Sequence, residues 1–240
     1  MVLLAIETSS EVCSVAITDD QGTLVERAFR HRMHLLDRLV ADVDALLRDA
    51  GTTLDALDGF SVGIGPGSFT GVRIGVMTAK AWAVVLEKPV CGVSAVDSLV
   101  AEVGVAPGTM TVPVVRARPG LVYGAAYRSS SGGPSVAISA AMWTPREIAA
   151  RLAAEPEMAV LLTGDGLVRS GDDIEVAMRA LGLDCSRASE CGPSASFVAQ
   201  VGAARLRSGQ STDPLRLTPL YVAPPRVDQR AERFAVPRPE

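Results

Sequence analysis

Lysine is almost missing from this chain. Of its 240 residues only Lys80 and Lys88 are lysine, so Arg supplies nearly all the positive charge. We read this as coding bias without functional meaning. Histidine is as scarce, represented by His31 and His34. Their spacing puts both on one helix face, yet no Cys and no acidic pair is spaced to complete a metal site, and there is no HExxH run. A metalloprotease therefore lacks its ligands. Both histidines are expected in surface or structural roles, with no metal and no cofactor. Cys13, Cys91, Cys185 and Cys191 are scattered without a CxxC pair, which speaks against a disulfide scaffold and for thiols in a reducing compartment. No apolar run approaches the roughly eighteen residues of a membrane span. Residues 1–7 have no basic stretch and meet an acid early, so they read as a strand rather than a signal peptide. A cytoplasmic protein is expected. Positive charge is not in excess either. The formal net charge of −4 argues against tight, independent nucleic-acid binding over the whole surface.

What is abundant is apolar. Such residues make up 48% of the chain, enough for a sizeable core in one large domain or two lobes. Residues 3–7, 12–17 and 23–29 read as three consecutive strands, with turn chemistry at Thr8-Ser9-Ser10-Glu11 and Asp19-Asp20-Gln21-Gly22. From 33 to 50 the period becomes helical, with Leu35, Leu36, Leu39, Val40, Val43, Leu46 and Leu47 in phase and Gly51 as a stop. A strand at 60–64, a helix at 69–87, a strand at 90–93 and a short helix at 97–103 follow. Ala106-Pro107-Gly108 marks a lobe boundary. The second half opens the same way, with strands 112–117 and 121–127. A helix at 145–154, a strand at 160–163 and a helix at 194–207 capped by Ser194 or Ser196 come after. Two related α/β lobes are expected, at 1–106 and 107–222, with a loose Pro- and Arg-rich tail at 223–240.

The most informative stretch is Gly65-Pro66-Gly67-Ser68-Phe69-Thr70-Gly71-Val72-Arg73-Ile74-Gly75. It lies between a predicted strand and a predicted helix, where free backbone N–H groups make an anion site. Gly65, Gly67, Ser68, Thr70 and Arg73 are the candidates for such an anion or nucleotide loop. The motif lacks the Gly-Lys-Ser/Thr ending of a P-loop, and Ser68 reads as the helix N-cap. A second reading is packing. Gly71, Gly75, Ala79 and Ala83 stand four apart and form a small-residue ridge about 18 Å long. The residues leave open whether that ridge packs on its own lobe or on another helix.

Leu4-Ala5-Ile6-Glu7-Thr8-Ser9, followed by Cys13-Ser14-Val15-Ala16, resembles the opening of the superfamily that holds actin, the heat-shock chaperone ATPases and the sugar kinases. Within it, the 65–75 motif is similar to the hallmark of the TsaB family, the dimerisation subunits for tRNA threonylcarbamoyladenosine synthesis. His31 with Leu35-Leu36, Ala117-Arg118 with Val122-Tyr123, Gly164-Asp165-Gly166 and Pro219-Leu220-Tyr221 extend the resemblance over residues 2–222. There are departures. Glu7 stands where the family usually has Asp, and Arg116 and Leu121 stand where Asp and Glu are common. The resemblance therefore carries no ligand role to these three positions.

The resemblance implies an α/β fold of two ribonuclease-H-like, actin-like ATPase lobes. It implies a non-catalytic subunit that binds the catalytic TsaD, joined by the ATPase TsaE, for threonylcarbamoyl transfer to the adenosine beside the tRNA anticodon. It implies a homodimer when TsaD is absent, and contact with tRNA only within the complex. It places the partner interface on the first two helices, at Leu35, Leu36, Leu39, Val43, Gly71, Gly75, Ala79 and Ala83. TsaD-like metal ligands would fall at Ala95 and Leu99, which cannot coordinate. The alternative is a nucleotide-dependent phosphotransferase of the same superfamily, against which the missing Asp at position 7 counts. Arg118 with Tyr123 could line a cleft between lobes. The seven Arg and four acids from 205 onward make a basic end that could meet tRNA or an acidic partner.

Overall fold

The computed structural model describes residues 1–30, 34–155 and 159–222. The first half runs β1 (Leu3–Glu7), β2 (Val12–Asp19), β3 (Gly22–Arg30), α1 (Leu35–Asp49), β4 (Gly59–Gly63), α2 (Phe69–Val85), β5 (Val90–Val93) and α3 (Ala95–Val103). The second half repeats the series: β6 (Thr109–Arg116), β7 (Val122–Ser130), β8 (Gly133–Trp143), α4 (Pro145–Ala153), β9 (Ala159–Thr163), α5 (Leu167–Arg179), β10 (Cys185–Ser189) and α6 (Ala195–Arg207). The sheets have the orders β3-β2-β1-β4-β5 and β8-β7-β6-β9-β10. Strand for strand, the second sheet is the first again. In each, three antiparallel strands form a meander, and two parallel strands are added through helical crossovers. The α/β class with two like lobes, expected from the sequence, is the observed one.

Three elements had not been anticipated: β8, α5 and β10. In β8, Gly, Pro, Ser and Ala, which carry little β-propensity, dilute the strand formers Val136, Ile138 and Trp143. The helix shows only a sparse apolar stripe, Leu167, Ile174 and Met178, with Gly171 between. The last is a short polar edge strand, Cys-Ser-Arg-Ala-Ser.

Apolar side chains alternate across each sheet and fill cores on both faces. One face of the first sheet, with Leu4, Ile6, Val15, Phe60 and Val62, packs under α1 and α2. The other face of that sheet, with Ala5, Ala16, Cys91 and Val93, packs on Ala195, Val198 and Ala199 of α6. The second sheet is covered outside by α4 and α5 and inside by α3, whose Ala95, Val96, Leu99 and Val100 meet Val115, Ala125 and Tyr127. Each half thus lends its last helix to the other half's sheet.

That exchange corrects the expected division. Residue 106 separates the sheets, but 107–222 is not one lobe. Helix α6 and the segment after it return to the first lobe. Thr212 bridges to Val90, and the Leu220 N–H donates to Ile64 O at 2.8 Å. The cap of α6 also differs from expectation. No side chain of Ser194 caps it; the Ala195 N–H donates instead to Ser14 Oγ of β2 at 2.7 Å, while Ser196 is held by Glu26. His31 and the tail 223–240 lie outside the described residues. His34 is exposed, with its Nδ1 3.7 Å from Asp37. No described helix is long and apolar enough to cross a membrane.

Candidate functional site

The glycine motif folds as expected into the end of β4, a loop and the start of α2. Ser68 is the N-cap, its Oγ accepting from the Gly71 N–H at 3.2 Å. What the loop touches is the turn between β1 and β2. The Ser68 N–H donates to Ser9 O at 2.6 Å, and Thr8 Oγ1 donates to Gly71 O at 2.8 Å. A Cβ at Gly67 would run into Ser9 O, one at Gly71 into Thr8 O, and one at Gly75 into the Thr8 hydroxyl. Gly67 and Gly71 are there because the turn's backbone lies where side chains would be, and Gly75 because the Thr8 hydroxyl does. Gly65, at φ 87, uses the left-handed region and accepts from the Ala95 N–H at 2.7 Å.

The small residues of the ridge face inward. Gly71, Gly75, Ala79 and Ala83 are buried against their own lobe, as are Leu35, Leu39 and Val43. Of the expected interface residues, Leu36 is the one that faces outward. The anion-loop residues are likewise engaged within the chain. Arg73 lies 3.8 Å over the Phe69 ring and donates to Tyr221 Oη at 2.8 Å, so the C-terminal segment clasps the start of α2. Thr70 is exposed beside it.

Between the lobes, next to this clasp, opens a cleft of about 680 Å³. Ser9, Ser10 and Glu11 form one wall with Gly67 and Ser68. Arg116, Ala117, Arg118, Tyr123 and Asp165 form the other, and Tyr221 stands at the edge. Arg118 and Tyr123 thus sit where the sequence placed them. Arg116, a departure from the family pattern, bridges the two hairpin turns. Its guanidinium meets Glu11 Oε2 at 2.9 Å, and its backbone N–H donates to Asp165 Oδ1 at 3.0 Å. Beside Arg116, the Glu11 carboxyl is held below its ordinary range, whereas burial raises that of Asp165. Glu11 and Asp165 were not singled out as cleft residues. The internal repeat carries the signal for the second: Gly164 and Gly166 follow β9 as Gly65 and Gly67 follow β4, and both pack on the Val114 carbonyl of β6 as the first pair's neighbours pack on Thr8 and Ser9. At the expected metal positions, Ala95 and Leu99 are buried in α3.

The outward face of α2 is largely apolar, and on α1 two aliphatic side chains stand exposed among Asp37, Arg38, Asp44 and Arg48. Leu36 and Val40 on α1 are 50% and 47% exposed, and Met77, Val84 and Val85 on α2 are 61%, 46% and 78% exposed. The two helices lie side by side on the same face of the first sheet.

A family model described as TsaD, tRNA N6-adenosine threonylcarbamoyltransferase, matches residues 15–190. The tRNA threonylcarbamoyladenosine biosynthesis protein TsaB of Escherichia coli is 36% identical over 134 residues, which are 55% of this chain and 58% of that protein. The chain spans somewhat more than half the length of the curated TsaB relatives it matches. A crystal structure of a Pseudomonas aeruginosa protein with similarity to the peptidase YeaZ superposes with a TM-score of 0.76 at 26% identity, over 92% of this chain and 99% of that one. The ROK hexokinase of Thermus thermophilus, at TM-score 0.52 and 11% identity over 86% of this chain and 100% of that one, shares the fold. Fold, glycine motif and sequence agree: the chain belongs to the TsaD/TsaB family of tRNA threonylcarbamoyladenosine proteins.

Proposed function

We propose that this chain is a non-catalytic subunit of the tRNA threonylcarbamoyladenosine machinery that binds a TsaD partner through α1 and α2, with TsaE joining the pair. In this reading TsaD carries the threonylcarbamoyl transfer to the adenosine beside the anticodon, tRNA is met only in the complex, and the same face pairs two copies of the chain when TsaD is absent. The observation that supports it most is the exposure of Met77, Val84 and Val85 on α2, with Leu36 and Val40 on the neighbouring α1. Large exposed aliphatic side chains grouped in this way mark a docking face. The names of the relatives supply the pathway, and the aliphatic residues at 95 and 99 leave this chain without TsaD-like ligands of its own.

Val40→Glu and Met77→Glu test the reading, because both positions are exposed and a charge there is expected to leave the fold intact. Sedimentation of each variant alone and with its cognate TsaD is expected to show association weakened at least about tenfold, with thermal unfolding unchanged and tRNA modification reduced in step. Variants that associate like the parent would remove the interface. ATP turnover by the pure chain would favour the phosphotransferase instead.

A further inference from the structure

One buried acid has no part in the contacts described so far. Glu7, the last residue of β1, is fully buried beside the cleft floor. Its Oε1 accepts from the Ser9 N–H at 2.5 Å, and its Oε2 has no partner among the described residues. The carboxyl lies directly over Gly63 of β4, in the space a side chain there would need. The Ser9 hydroxyl lies buried beside it. A carboxylate so enclosed, with donors only from its own turn and Oε2 unpartnered, has not replaced the water it gave up.

Among the described residues, the groups around it bring no positive charge. Asp165 from the loop after β9 adds a negative one. Cys13 of β2, on the opposite face of the sheet, is a neutral thiol, pushed up to about 12 by burial. Ser14, its cross-strand partner, is engaged by α6, whose first turn, Ala195-Ser196-Phe197, carries no charge. Gly63 of β4 and the Gly71 and Gly75 of α2 that pack on Thr8 have none to offer. Arg116, beyond Asp165, gives its guanidinium to Glu11.

We propose that Glu7 is a proton-dependent lock on the glycine loop: its neutral acid seats the β1–β2 turn against Gly67 and Gly71, and its ionisation unseats that turn and opens the cleft. The mechanical link is short. Glu7 holds the Ser9 N–H, the Ser9 carbonyl holds the Ser68 N–H, and Thr8 holds Gly71. An ionised Glu7 gains water only if Thr8 and Ser9 move, and they cannot move without releasing the start of α2. The device acts on α2 whatever partner that helix takes.

Burial, with a further push from Asp165, holds Glu7 up at about 7 against the lowering pull of its Ser9 hydrogen bonds. The seated state keeps the proton, and the open state, with an ordinary glutamate, releases it. Closure is therefore strongest below the ordinary value of 4.5, weakens as pH rises from there to about 7, and is weakest above. Carbon-13 NMR titration of the Glu7 carboxyl in the intact chain, with hydrogen exchange of the Ser68 amide, reads both ends of the link. The expected titration midpoint is near neutrality. The opening constant should rise by up to about tenfold per pH unit between roughly pH 5 and 7 and level off above. Glu7→Gln should flatten that rise and keep Ser68 protected at alkaline pH. Glu7 titrating in the ordinary carboxylate range, or an unchanged pH slope in Glu7→Gln, overturns the proposal. If that variant does not fold, the titration of the unaltered chain decides alone.

Discussion

Thr8 explains the glycines of the motif. Its carbonyl lies where a Gly71 Cβ would be and its hydroxyl where a Gly75 Cβ would be. Glycine inside a helix ordinarily costs roughly 1 kcal/mol against alanine, so Gly→Ala on an open helix face stabilises. Here the sign reverses, because the obstacle is another segment's backbone rather than a flexible side-chain end. Gly71→Ala is expected to lower stability by about 1–3 kcal/mol. Gly132→Ala, where an added methyl meets nothing, should change it by less than about 0.5 kcal/mol. Chemical denaturation of both variants checks the contrast, and a stabilised Gly71→Ala would mean that the turn yields easily. The ridge of small residues was legible from its spacing. Its partner was not, because the spacing is the same whether a helix approaches a turn of its own chain or a helix of another. The contacts of Arg73 are illegible in sequence for a related reason: Phe69 lies one helical turn away, but Tyr221 is brought beside it only by the return of the chain's far end.

At the scale of elements, the exchanged helices α3 and α6 carry the junction. Asp97 of α3 accepts from Tyr127 Oη of β7 and from the Arg205 guanidinium of α6, each at 2.7 Å, and Arg205 also donates to Gly92 O of β5 at 3.0 Å. One carboxylate thus ties both sheets to both inner helices. Tyr127→Phe removes a hydrogen bond to a charged group and should cost about 1.5–3 kcal/mol. Asp97→Asn, which leaves the half-buried Arg205 without its counter-charge, should cost at least as much, measured by the same denaturation. Burial and the Asp97 charge raise the Tyr127 phenol well above the ordinary tyrosine range. The folded state therefore keeps a proton that the unfolded state gives up. Stability from this group is whole below about pH 10 and declines above it, and ultraviolet difference titration should show one tyrosine fewer ionising before unfolding. None of this triad was legible as a site. Arg205 had been counted with a basic C-terminal end, yet it is paired with Asp97, and Arg207 is paired with Asp20. The strands and helices with strong periodicity were found from the sequence. The elements missed were those whose apolar residues are few and whose stability comes from neighbours, such as β10 against β9.

For the whole molecule, the exchange means that neither half closes its own core. Residues 1–106 contain every strand of the first sheet, but that sheet's inner face, with Ala5, Ala16, Cys91 and Val93, is covered by α6 from the other half. The same fragment would carry α3 with its Ala95, Val96, Leu99 and Val100 facing a second sheet it lacks. The close fit is specific. Gly202 of α6 lies so near Ser61 of β4 that a Cβ would collide with it, and the Ser61 hydroxyl donates to Val198 O at 3.3 Å. Two apolar faces left open in one fragment forfeit burial on the scale of several large side chains, each worth about 1.5–3 kcal/mol, against a total stability of only about 5–15 kcal/mol. A fragment of residues 1–106 should therefore bind hydrophobic dye and unfold without a cooperative transition, although its sheet is complete. The intact chain should unfold in a single transition despite its two sheets. Mixing 1–106 with 107–222 should restore a one-to-one complex and cooperative melting, because each half brings the helix the other lacks. A cooperatively folded 1–106 by itself would show that the first sheet can re-cover its inner face with its own α3, and that the two halves are linked by connection rather than by exchange.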